Sequence, residues 1–144
     1  MSTTVQTTIQ IAVDCARPHQ LADFWAVALG YEVEDHSAQI DGLVAAGHAT
    51  EADTTTYAGR RAWRTAAACS DPSGGRPRLL FQEVPEAKQV KNRVHLDLQV
   101  GEDRRDAEAE RLVGLGATRI GEGSQGPHAW VVLADPEGNE LCVG

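Results

Sequence analysis

The sequence predicts an α+β fold made of two copies of a strand–helix–strand–strand–strand unit. Three observations carry this prediction. Two segments, "TIQIAVDCARPHQLADFWAVALGYEV" and "RVHLDLQVGEDRRDAEAERLVGLGATRI", open with apolar–polar alternation and continue as helical stretches. That switch of period marks a half-buried strand feeding a helix. Both stretches leave through Leu-Gly, at Leu29-Gly30 and Leu115-Gly116, as helices ending on a left-handed residue do. Each half then reaches an Asp-Pro-x-Gly turn, at Asp71 and Asp135, followed by a strand, "PRLLFQEV" or "ELCVG".

In the first strand Gln10, Ala12 and Asp14 alternate with Ile9, Ile11 and Val13, so the two sets face opposite ways. Pro18 suits the first turn of the following helix, whose apolar stripe is Leu21, Phe24, Trp25 and Ala28. Residues 31–70 hold an insertion relative to the second half. Within it "IDGLVAAGHA" predicts a short helix and "TEADTTTYAG" a polar, turn-like stretch. A long loop in a small domain is functional or mobile. In "PRLLFQEV", burying Leu79 and Phe81 leaves Leu80 and Gln82 on the other face. The charged segment "PEAKQVKNR", Pro85 to Arg93, reads as an exposed link. The expected organisation is one domain over 1–144 with modules of about 1–86 and 93–144.

The second module opens on "RVHLDLQV". Arg93, His95, Asp97 and Gln99 share one face; Val94, Leu96, Leu98 and Val100 share the other. The apolar row must meet the helix, so the polar row faces a cavity. The following helix has a weaker stripe, Ala107, Ala109, Leu112, Val113 and Leu115. Trp63 and Trp130 are read as strand starts, either packing in the core or walling a flat ligand. His19, His36, His48 and His128 lack ligand spacing and are read as exposed. In the terminal strand Glu140 and Cys142 have the same parity.

Bulk composition narrows the function. With 144 residues and 42% apolar content a core can form, and a net charge of -8 argues against nucleic acid as partner. No apolar run reaches the length of a membrane span. The start "MSTTVQTTIQ" lacks the features of a secretion signal. Three scattered thiols, Cys15, Cys69 and Cys142, fit a reducing compartment, so a cytoplasmic protein is expected.

The pieces "ADFWAVALGY", "KNRVHLDLQV", "LVGLGAT" and "WVVLADPEGNE", in this order and with the duplication, resemble the vicinal-oxygen-chelate superfamily of glyoxalases, bleomycin-resistance proteins and extradiol dioxygenases. "LLFQEVPEAKQVKNRVHLDLQV" looks like the actinobacterial-type glyoxalase-like domains. The resemblance implies two βαβββ modules forming a curved, mixed, mostly antiparallel sheet around a cavity, with helices outside. It also implies a divalent metal (Zn, Ni, Fe or Mn) in the enzymes of the group, where a Lewis acid stabilises an enolate or activates dioxygen. Other members bind antibiotics without chemistry, and such members often pair as homodimers.

The enzymes of the group supply His or Gln from each module's first strand and Glu from each last strand. Carried over, the first-strand positions are Gln10 and His95. The Glu of the first module falls on Gln82 or Leu80, and that of the second on Cys142, with Glu140 nearer the turn and on the surface. Such a set has no carboxylate, so no standard metal site is expected; a metal, if bound, would use Gln10 and His95. The expected function is small-molecule binding by a cavity lined by Gln10, Asp14, Gln82, Arg93, Gln99, Trp130 and Cys142. The alternative is a glyoxalase-like lyase, isomerase or dioxygenase using His95 and Asp97 as acid/base groups. A small organic molecule is the expected partner, with no nucleic acid or membrane.

Overall fold

The computed structural model describes residues 3–144. The chain forms two compact units that part between Val84 and Pro85. The first contains β1 (Gln10–Cys15), α1 (Pro18–Leu29), β2 (Glu32–Val33), α2 (Ser37–Ala45), β3 (Thr54–Tyr57), β4 (Arg60–Trp63), β5 (Ala66–Ser70) and β6 (Arg78–Glu83). The second contains β7 (Leu96–Leu98), α3 (Glu102–Leu115), β8 (Thr118–Gln125), β9 (His128–Ala134) and β10 (Glu140–Val143).

Each unit builds a four-stranded mixed sheet with the same strand arrangement, β1-β6-β5-β2 in the first and β7-β10-β9-β8 in the second. In both, the first and last strands pair in parallel and the remaining pairs are antiparallel. The α+β class and the repeated βαβββ pattern follow directly.

In the first unit α1 lays Leu21, Phe24, Trp25 and Ala28 onto β5 and β6, where Ala67, Cys69, Leu79 and Phe81 are buried. Gly30 ends α1 at φ 69, and its N–H donates to the Ala26 carbonyl. In the second unit α3 is more sparsely anchored. Of its expected stripe only Ala109 and Leu112 are buried, while Ala107, Val113 and Leu115 are exposed. Arg105, Ala109 and Leu112 stack at i, i+4 and i+7; Val113 and Leu115 flank that line and Ala107 lies behind it. Beneath α3, Val131, Leu133, Leu141 and Val143 are almost wholly buried.

The insertion contains α2 as expected, but its second half is not a plain polar turn. Thr50 and Asp53 form a reciprocal capping box on a 3-10 turn, Glu51–Asp53. Then β3 and β4 pair as a hairpin. Its two-residue turn, Ala58-Gly59, has φ of 50 and 76, the left-handed pair that matches the twist of tightly joined strands. The hairpin is tied to α1: the Tyr57 hydroxyl donates to Asp23 (2.5 Å), and His19 stacks on Tyr57 while bonding the Trp63 carbonyl at 2.8 Å. Trp63 therefore ends a strand, and His19 is only partly exposed.

Both Asp-Pro-x-Gly turns are organised by a buried aspartate. Asp135 accepts from the Glu137 and Asn139 amides (2.9 Å each) and from Asn139 Nδ2. Asp71 accepts from the Ser73 and Arg76 amides and from Arg76 Nε, which hold its carboxyl well below the usual range. Among the described residues no helix is long and apolar enough to cross a membrane.

Candidate functional site

The open face of the second unit's sheet follows from strand alternation. Leu96, Leu141 and Leu133 form one cross-strand row and Leu98, Val143 and Val131 another; the β9 and β10 members are buried beneath the helix. The row between them, Asp97, Cys142 and Val132, must face the other way. On that side of the sheet Glu140 and His95 precede this row, and Gln99 and Trp130 follow it, with Trp130 opposite Gly123 on β8.

These residues wall a pocket of about 510 Å³. Of the residues singled out in the sequence, His95, Asp97, Gln99, Trp130 and Cys142 line it, and Glu140 joins them. Arg93 is exposed and lies outside the wall. His95 Nδ1 bonds Asp97 Oδ1 at 2.9 Å. Burial pushes the Cys142 thiol up, and the Asp97 carboxylate adds to the shift.

Glu140 is not the free surface residue expected beside the turn. Its side chain is only 14% exposed. The Asn92 amide (2.9 Å) and Lys88 Nζ (3.1 Å) donate to it and hold its carboxyl below the ordinary value. Glu140 thus fastens the link segment to the sheet. Trp130 is positioned by an absence of side chain: a β-carbon on Gly123 would come within 2.6 Å of the indole. The ring lies against bare backbone.

The other predicted residues belong to the first unit. Gln10, Asp14 and Gln82 lie on the open face of its sheet, with Gln10 beside Arg78 and Asp14 beside Gln82. Arg78 donates to Gln10 Oε1 (2.7 Å) and, through two nitrogens, to Glu34 (2.7 and 2.8 Å). The Ser70 hydroxyl and His36 Nε2 also bond Glu34. With Arg78 the largest influence, the Glu34 carboxyl is lowered to about 2.

Register within each unit settles which residues correspond. The first fully buried residue of the closing strand is Leu79 in one unit and Leu141 in the other. The next residue is Leu80 or Cys142, paired with Ala12 or Asp97. Gln82 therefore falls two residues beyond the Cys142 equivalent. With that register, the positions to which the resemblance carries the enzymes' metal ligands are Gln10, Leu80, His95 and Cys142. They do not fit that group: Leu80 has no donor atom, and the Gln10 oxygen is bonded to a guanidinium that repels a cation.

Sequence reasoning missed Glu34, Arg78 and Gly123. None stands in a motif, and their partners lie far away in the chain or across a strand pair. It named Asp97 with His95 as an acid/base group but not its pairing with Cys142, because nothing local reveals that the two lie opposite each other.

The model of the glyoxalase-like domain family matches residues 10–144. Among curated proteins no sequence matches the chain. A glyoxalase/bleomycin resistance protein/dioxygenase family enzyme from Burkholderia phytofirmans PsJN shares the fold at TM-score 0.63 and 14% identity, covering 93% of this chain and 94% of that one. A mutant of the fosfomycin resistance protein FosX from Listeria monocytogenes, complexed with Mn(II) and 1S,2S-dihydroxypropylphosphonic acid, aligns at TM-score 0.64 and 12% identity over 97% and 92%. FosX from Mesorhizobium loti aligns at 0.61 and 9%, over 97% and 91%. At such identities the likeness carries the fold alone.

Proposed function

The chain belongs to the glyoxalase-like domain family, and on that footing we propose that it binds a small organic molecule in the pocket of its second unit. The observation that carries this reading is the pocket itself. Its volume of about 510 Å³ falls in the range of sites for small molecules, about 300–1,000 Å³. Its lining combines an apolar patch with polar side chains that also include Lys91, Gln125 and His128, and convergent polar groups are what orient a ligand in such sites. Trp130, Val132 and Ala129 offer apolar surface, and His95, Asp97 and Gln99 offer hydrogen bonds at one side. An indole held flat by Gly123 favours a ligand with a planar, unsaturated portion, because stacked rings gain beyond their buried area. The misfit of the four metal positions supports binding that does not depend on the metal centre of the resembling enzymes.

A specific observation favours one second reading. With Nδ1–H donating to Asp97, His95 Nε2 carries a lone pair and can take a proton from a bound substrate. That geometry suits a lyase or isomerase step run by His95, with Asp97 holding the ring. As in other binding members, a homodimer is part of the proposal.

Native mass spectrometry of chelator-treated protein tests the first reading. The wild type is expected to carry an organic molecule, or take one up from a panel of planar metabolites, and Trp130→Ala to lose it. Equal occupancy in the two proteins would remove the pocket from consideration. For the second reading, turnover of any identified ligand must disappear in His95→Ala while binding persists.

A further inference from the structure

Among the described residues, the wall of this pocket carries one lysine and no arginine, and that lysine has no counter-ion. The two carboxylates of the wall are engaged elsewhere: Glu140 with Lys88 at 3.1 Å and Asp97 with His95 at 2.9 Å. Lys91 lines the same pocket, yet its ammonium meets only the Asn92 carbonyl, at 3.4 Å. An ammonium has three N–H donors, so two remain for a partner in the pocket. The backbone that carries Lys91 is held in place. The Asn92 amide, one residue on, donates to Glu140 at 2.9 Å, and Lys88 reaches the same carboxylate. The two lysines of the link thus divide: one fastens the segment, the other is left to the pocket.

Strand register sets the distance between that cation and the indole. Three rows succeed one another along the open face: His95 with Glu140, then Asp97 with Cys142 and Val132, then Gln99 with Gly144 and Trp130. The outer rows are four residues apart, about 13 Å at about 3.3–3.4 Å per residue. Lys91 belongs to the Glu140 end and Trp130 to the opposite end. Between them Val132 and Cys142 are half-buried, and a neutral thiol packs as a small apolar group. Burial is the main influence that raises the Cys142 thiol, and the Lys91 charge opposes the rise. The field of Lys91 therefore reaches the middle row.

Resting on the reading that a small organic molecule occupies this pocket, we propose that the ligand is an aryl-chain carboxylate. Its flat apolar group stacks on Trp130, its carboxylate pairs with Lys91, and a saturated spacer crosses Val132 and Cys142. An ion pair sets nitrogen and oxygen about 3 Å apart, so ring and carboxylate stand about 10 Å from each other. A compact acid cannot reach both ends. With carbon–carbon bonds of about 1.5 Å, a chain of about five methylenes does.

Charge selects the class. A cationic end would meet the ammonium of Lys91, and a neutral end would leave its donors to water. A net charge of -8 repels anions from the molecule as a whole, so preference for an acid has to arise locally, in a cleft whose apolar walls strengthen the attraction. A dianion such as a phosphate ester would add a second negative charge beside Asp97, with one ammonium to answer both. A monoanion matches the single free cation.

Isothermal titration calorimetry of the intact chain with phenylhexanoate, its neutral amide and the shorter pair phenylacetate and phenylacetamide tests the assignment. The wild type should bind phenylhexanoate more tightly than phenylhexanamide, and added salt should narrow the gap. Lys91→Ala should weaken the long acid by about fivefold and leave the long amide unchanged. Lys91→Arg should keep most of the acid binding, and Lys91→Glu should reverse the preference. Phenylacetate and phenylacetamide should differ little, because a ring on Trp130 leaves the short carboxylate out of reach of Lys91. Trp130→Ala should weaken long acid and long amide alike. Equal affinity of the wild type for long acid and long amide, or equal loss of both in Lys91→Ala, would overturn the proposal and leave the pocket reading standing. Binding of neither long probe overturns it too, and native mass spectrometry of wild type against Trp130→Ala then judges the pocket reading by itself.

Discussion

Replacing Gly123 by alanine adds one methyl group at the place where the Trp130 indole lies. The new carbon would stand 2.6 Å from Cε2 and Nε1 and 2.7 Å from Cζ2. Carbon atoms in ordinary contact sit about 3.5–4.0 Å apart, so about an ångström must be recovered. The backbone cannot supply it, because Gly123 and Trp130 are paired in the β8–β9 ladder. The indole must therefore rotate off the sheet. Overpacking costs about 1–3 kcal/mol, with a half-exposed ring at the lower end because it can swing outward. Alanine in a strand recovers about 0.5–1 kcal/mol of the entropy that glycine loses. The net change in stability is then small, at most about 2 kcal/mol, whereas the displacement of the ring is large.

The decisive assay is accordingly the indole N–H resonance of Trp130 in a proton–nitrogen correlation spectrum, assigned with Trp130→Phe. Gly123→Ala should move that resonance, leave those of Trp25 and Trp63 in place, and abolish binding of any ligand that requires Trp130. Gly121→Ala is the control: it lies two residues away on β8, opposite Val132, and a β-carbon there meets nothing within 4 Å. It should be neutral or slightly stabilising. If Gly123→Ala leaves the Trp130 resonance and ligand binding untouched, the aromatic wall is not built as described.

Further outcomes follow from the same geometry. Lowering of the Glu34 carboxyl from 4.5 to about 2 corresponds to at most about 3 kcal/mol, screened by solvent to about 1–2 kcal/mol. Because the folded value is depressed, this stabilisation is complete above about pH 5 and declines as pH falls toward 2. Urea denaturation between pH 6 and 2 should therefore show a shallower acid limb in Glu34→Gln; parallel limbs would contradict the assignment. Asp135→Ala strips the acceptor from two backbone amides and Asn139 and should cost about 2–3 kcal/mol in denaturant unfolding, whereas Asp135→Asn should recover part of it. Finally, burial pushes the Cys69 thiol up to about 12 and Cys15 is also buried, so a thiol reagent at pH 8 should label Cys142 first. Mass spectrometry showing prior labelling of Cys69 would refute that order.

Much of this fold is legible in the chain because its signals are local. Alternation in "IQIAVDC" and "RVHLDLQV" correctly separates Asp14 from Val13 and Asp97 from Leu98, since a strand turns over at every residue whatever it pairs with. The Leu-Gly exits and the Asp-Pro-x-Gly turns are equally local, set by a helix end and by a carboxylate accepting amides within five residues. Where the local signal is weak, the reading slips. The apolar pattern of α3 suggests a wider stripe than the two residues it buries, and "TTTYAGRRAW" conceals a hairpin behind polar residues.

By itself, then, the sequence determined the two βαβββ units, their faces and five of the residues that meet in the pocket. Only the tertiary structure decided register. It set Asp97 opposite Cys142, Trp130 against Gly123, and Leu80 rather than Gln82 at the place matching Cys142. It also drew Glu140 to Lys88 and Asn92, out of reach of its sequence neighbours. The physical reason is that periodicity states which way a side chain points but carries no record of the partner strand. That partner lies tens of residues away, and the pairing is chosen by burying all the apolar rows together.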